Sequence, residues 1–153
     1  MTLNPSWFLN ATGQFLPIIG TSTTTTTSIV TFLTKSTTLD IAISVSTGTY
    51  TDGPAVAQGS AGTWYASGTV TLVSASGGPF VYVRLWDGTS VIASATTDPA
   101  NTAFFTTVSL SGILVSPAGN LRLSARTTSV SQTIKFNGSG DALDSTITAM
   151  RIG

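Results

Sequence analysis

Six aspartates, Asp40, Asp52, Asp87, Asp98, Asp141 and Asp144, are the whole carboxylate side-chain complement of this sequence, which has no glutamate, histidine or cysteine. That inventory removes most catalytic machinery at once. Without imidazole there is no Ser-His-Asp triad and no histidine general base. Without a thiol there is no thiolate nucleophile and no disulfide, and the usual zinc ligands are missing. Glycoside hydrolysis by a carboxylate pair would have to be run by aspartates alone. Asp87 precedes a glycine and Asp98 a proline, contexts in which an Asp side chain bonds its own backbone turn. No phosphate-binding loop or dinucleotide fingerprint occurs. The expectation is a protein that is not an enzyme and carries no cofactor.

Two other groups carry chemistry. The segment from Asn137 through Gly138, Ser139 and Gly140 to Asp141 and Asp144 places oxygen ligands on a glycine-rich loop, the raw material of a Ca²⁺ site, but its spacing matches no EF-hand and reads first as a hairpin loop. The aromatic residues are the remaining handle. Trp64, Tyr65, Tyr82 and Trp86 fall in neighbouring expected strands. On a shared outward face they would stack on sugar rings or anchor an interface; otherwise they fill a core. Trp7 and Phe8, in an N-terminal arm, join Trp64 and Trp86 as the expected interface residues.

The composition says what must position these groups. Of 153 residues, 41% are hydrophobic and 8% charged, with zero formal net charge. The charged share is well below the ~25% of ordinary soluble domains, and neutral chains repel one another weakly, so part of the surface is expected to meet another subunit. Disorder goes with the opposite balance, low hydrophobicity and high net charge. The six basic residues, Lys35, Arg84, Arg122, Arg126, Lys135 and Arg151, are scattered along the chain, which argues against nucleic acid as a partner. No apolar run approaches the ~18–20 residues that span a bilayer, and residues 1–15 do not read as a signal peptide.

Thr and Ser make up roughly a third of the chain, Val and Ile are frequent and straight-chain helix formers are scarce, so the chain reads as strand and turn throughout. Alternation marks strands at 27–35, 38–46, 63–74, 80–86, 89–95, 103–113, 121–127, 132–137 and 145–152. Val81, Val83 and Leu85 share one face, with Phe80, Tyr82, Arg84 and Trp86 on the other. Leu121, Leu123 and Ala125 point in; Arg122, Ser124 and Arg126 point out. Asp87-Gly88 predicts a tight type I′ hairpin, and Gly77-Gly78-Pro79 and residues 116–120 are further breaks. So many short strands indicate a sandwich or barrel. Residues 1–20 form the expected arm and 21–153 the β domain. The threonine run at 21–27 reads as a polar strand or linker.

The stretches Ala66–Leu72, Val81–Ser94, Asn120–Arg126, Thr133–Asn137 and Asp144–Gly153, in that order, resemble small virion proteins of tailed bacteriophages: capsid decoration proteins, head fibres and tail-fibre tips. The resemblance covers residues 60–153. It implies an all-β, jelly-roll-like antiparallel sandwich, to which residues 1–20 add the extended N-terminal arm read from the sequence, and it brings no catalytic residues. It further implies a homotrimer that cements the major capsid protein at the virion surface after synthesis in the host cytoplasm. The rival within the same resemblance is a fibre module that binds a host receptor or carbohydrate.

Overall fold

Period-two alternation and β-branched residues give twelve strands in the computed structural model, which describes residues 7–9, 13, 15–17, 30–43, 45, 48–74, 80–98, 105–128 and 132–153. They are β1 (Trp7–Leu9), β2 (Phe15–Pro17), β3 (Phe32–Ser36), β4 (Ile41–Ile43), β5 (Thr51–Val56), β6 (Thr63–Ser74), β7 (Val81–Trp86), β8 (Val91–Thr97), β9 (Phe105–Val115), β10 (Leu121–Thr127), β11 (Gln132–Ile134) and β12 (Thr146–Arg151). The described residues contain no helix. The threonine run and the Gly77-Gly78-Pro79 break lie outside the described residues.

The strand pairings define the fold. β3 pairs with β12, β5 with β10, β6 with β9 and β7 with β8, all antiparallel. These couples are nested, first strand with last and so inward to the β7–β8 hairpin, as in one long ribbon closed at its tip. Alternate couples go to alternate sheets. One sheet runs β3-β12-β6-β9 and the other β5-β10-β7-β8. That order is the jelly roll, with its two Greek keys. β11 follows β12 along the same edge of β6, with β4 outside it. β1 and β2 form an antiparallel ribbon that, among the described residues, is laddered to neither sheet.

The core lies between the sheets. From the four-stranded sheet come Val81, Val83, Leu85, Leu121, Leu123 and Ala125, all at most 1% exposed. Val70, Leu72, Ile134, Ile147 and Ala149 meet them from the other side. Each fully buried aliphatic side chain contributes about 1.5–3 kcal/mol. Gly68 packs close against the opposite layer. A Cβ there would stand 2.8 Å from Leu123 Cδ1 and 3.0 Å from the Ile147 Cα.

Two sequence expectations are corrected. β5 is not among the expected strands; it carries Gly53-Pro54 and lies at a sheet edge, where a missing N–H costs no ladder bond. The β7–β8 connection is a hairpin, but no type I′ turn sits at Asp87-Gly88. Gly88 has φ +98°, Asp87 is not at positive φ, and the loop runs from 87 to 90 with a register shift beside Trp86. The Asp87 side chain organises this loop, accepting the Thr89 and Ser90 N–H groups at 2.8 and 2.6 Å.

Candidate functional site

Pairing of β7 with β10 sets Arg122 opposite Trp86, Ser124 opposite Arg84 and Arg126 opposite Tyr82. All six belong to the outer face, because their neighbours in sequence are the buried core residues. Tyr50 and Asp52 enter from the start of β5, and Ser94 and Thr96 lie across from Arg84 and Tyr82 on β8. Three of the six basic residues thus share one sheet face, correcting the scattered distribution read from the chain.

These side chains form an alternating ladder of rings and guanidiniums. The Arg126 guanidinium lies 4.2 Å from the Tyr82 ring centroid and 5.4 Å from that of Tyr50. Arg84 is sandwiched, 3.7 Å from Tyr50 and 3.3 Å from Trp86. Arg122 follows at 4.8 Å from Trp86 and reaches Asp52 with a 3.0 Å ion pair. Cations over aromatic faces are worth ~0.5–2 kcal/mol each, more as water is excluded. Trp86 Nε1 donates to Ser124 Oγ at 2.6 Å, and Ser124 Oγ donates to Asp52 Oδ1 at 2.5 Å. Asp52 is the one carboxylate of the cluster. Among the described residues, neither Arg84 nor Arg126 has an ion-pair or hydrogen-bond partner, and the Nε atoms of Arg84, Arg122 and Arg126 are buried without an acceptor. Burial pushes the Arg84 guanidinium below its ordinary value; Tyr50 and Asp52 oppose that push, and Arg122 and Arg126 add to it.

A second surface occupies the outer face of the other sheet. Phe32, Met150, Tyr65 and Ile113 are direct cross-strand neighbours on β3, β12, β6 and β9, a single row across four strands. Phe32 is 65% and Ile113 58% exposed. Val30, Ile152 and Val115 extend this apolar end, Val115 being 66% exposed. The adjoining row, Thr34, Thr148, Ser67 and Ser111, is hydroxylic.

The expected interface residues separate. Trp86 is half-buried on the ladder. Trp64 is a correction: it is buried in the core, with Nε1 donating to the Ala61 carbonyl at 2.9 Å, so its ring is unavailable to a partner. An even position on β6 faces inward, and β6 and β7 belong to different sheets, so Trp64 and Trp86 never share a face. Trp7 and Phe8 lie on β1, and their side chains fall outside the described residues. In the 137–144 loop, Asp144 accepts the N–H groups of Gly138 and Ser139 and the Ser139 hydroxyl, while Asn137 Oδ1 accepts the Ala142 N–H. These oxygens brace the loop's own backbone, and among the described residues no three metal-ligating side chains cluster.

No family model matches the chain, and no curated protein does. Among solved structures, a subunit of Bacillus endospore appendages, described as a novel family of disulfide-linked pili, is 13% identical, with 80% of this chain and 86% of that one covered and a TM-score of 0.42. The C-terminal CBM6 of LamC, a laminarinase of Zobellia galactanivorans, is 14% identical over 79% of this chain and all of its own, with a TM-score of 0.39. VP2 of infectious bursal disease virus is 10% identical over 81% of this chain and 32% of its own, with a TM-score of 0.40. At such distances the jelly-roll assignment rests on strand order. The 153 residues contain no cysteine for a disulfide link.

Proposed function

We propose that this chain is a structural virion protein of a tailed bacteriophage, a non-enzymatic decoration subunit that seats on the head shell as a homotrimer and bridges major capsid protein subunits. The observation that carries the reading is the exposed apolar row Phe32–Met150–Tyr65–Ile113 with Val30, Ile152 and Val115 beside it. Side chains gathered this way on a flat sheet face favour burial against protein, and scattered single apolar residues would not. The near absence of charge fits a surface largely covered in an assembly.

Light scattering on the purified chain is expected to give a trimer, and Phe32→Lys with Ile113→Lys to give a folded monomer. Added to undecorated phage heads, the wild-type chain is expected to bind in hundreds of copies and the double variant not to bind. A monomeric wild-type chain, or a cryo-microscopy map of the particle with a few copies confined to the tail, would overturn the decoration reading.

A further inference from the structure

The outer face of the β5-β10-β7-β8 sheet carries a feature that assembly through the other sheet does not use. Three guanidiniums face one carboxylate, and that carboxylate is already shared between Arg122 and Ser124. Among the described residues, Arg84 and Arg126 lie on a common face and neither makes an ion pair; Asp52 acts on Arg84 only through space. Nε of each arginine is buried, which leaves the terminal NH2 groups as the paired donors suited to a carboxylate. Stacking between Tyr50, Trp86 and Tyr82 fixes the planes of both, so little side-chain freedom is left to lose on binding.

We propose that this face binds an acidic saccharide, with Arg84 and Arg126 taking carboxylates of the sugar chain and Ser94, Thr96 and the tyrosine hydroxyls taking its hydroxyls. The ladder selects among ligands. Neutral sugars bind aromatic surfaces by stacking, but both neighbours of Arg84 already have guanidinium against their rings. The same covering works against nucleobase stacking, and two uncompensated charges are few for a run of phosphates. Exposed hydroxyls lie beside the arginine ladder: Ser94 and Thr96 neighbour Arg84 and Tyr82 on β8. The site lies on the face remote from the apolar row, so it operates wherever in a particle the chain sits.

The test is calorimetric titration of the full chain with oligogalacturonate at low salt, alongside a neutral maltooligosaccharide, citrate, a short glutamate peptide and single-stranded DNA. Saturable binding of oligogalacturonate, at least tenfold tighter than any of the others, is expected. Arg84→Gln and Arg126→Gln should each weaken it at least tenfold, and Arg151→Gln, at the far end of the other sheet, should not. Should the arginine variants unfold, Ser94→Asp places a carboxylate beside Arg84 without touching the ladder, and it too should abolish binding. No binding of oligogalacturonate, equal binding of the maltooligosaccharide or citrate, or tighter binding of the peptide or DNA overturns the proposal, as does full affinity in Ser94→Asp.

Discussion

The Asp87 carboxylate accepts the backbone N–H of Ala118, 31 residues away, at 2.7 Å. The same carboxylate holds the Thr89 and Ser90 N–H groups, so one side chain ties the β7–β8 loop to the β9–β10 loop. Gln58 makes a parallel tie, donating to the Gly119 carbonyl at 2.8 Å and accepting the Leu121 N–H at 2.9 Å. Three loops at one end of the sandwich are therefore cross-braced through residues 118–121. Replacing Asp87 with Ala removes three charge-assisted hydrogen bonds at once and is expected to cost about 2–3 kcal/mol. Urea unfolding should show a lower midpoint at unchanged slope.

Acid should weaken the fold through the same group. Burial pushes the Asp87 carboxyl up, but the Ser90, Ala118 and Thr89 N–H bonds outweigh it and hold the carboxyl below its usual value. Hydrogen bonds from Lys135 and Phe136 lower Asp40, and those from Ser139 and Gly138 lower Asp144. A carboxyl depressed by folding stabilises the protein fully above its unfolded pKa, roughly 3.9, and that stability is lost as pH falls through the folded value. Thermal melts are expected to be flat from pH 7 to about 5 and to fall steeply below about 4. In Asp87→Ala the acid limb should be shallower, and its deficit against wild type should shrink as pH drops.

Trp64 and Trp86 should differ in how much their truncation costs. Trp64→Ala opens a core cavity and is expected to cost about 3–5 kcal/mol, whereas Trp64→Phe keeps most of the packing and loses the bond to Ala61. Trp86→Ala removes a half-buried ring and should leave a folded protein, destabilised by about 1–2 kcal/mol through the lost stack with Arg84. Paired denaturation curves check both values.

Gly68→Ala tests one close approach of the layers. The added methyl meets the Thr146 carbonyl, Leu123 and Ile147, with rigid backbone among them. About 1–3 kcal/mol of destabilisation is expected, the usual cost of overpacking. Gly59→Ala, where no atom lies within 4 Å, should act through its φ of +84° alone. Equal costs at the two sites would argue against tight packing at Gly68.

Much of this fold was written in local pattern. Val81, Val83, Leu85, Leu121, Leu123 and Ala125 declare their inward face by strict alternation, and the strands 63–74 and 121–127 coincide with β6 and β10. Their physical cause, a two-residue period on a half-buried sheet, acts over a few residues and so is visible in the chain itself. The outward set Tyr82, Arg84, Trp86, Arg122, Ser124 and Arg126 was legible in the same way. That these form one ladder was not, because nothing in either strand says that β7 lies beside β10. Pairing partners are set by the global balance of core burial, loop closure and twist, and that balance exists only in the folded chain. The same balance sent Trp64 inward, gathered three scattered arginines and lined up Phe32 with Ile113 across four strands. Residue types alone determined that the chain is all-β and that it has no histidine, thiol or glutamate to offer; tertiary structure alone decided which side chains share a surface.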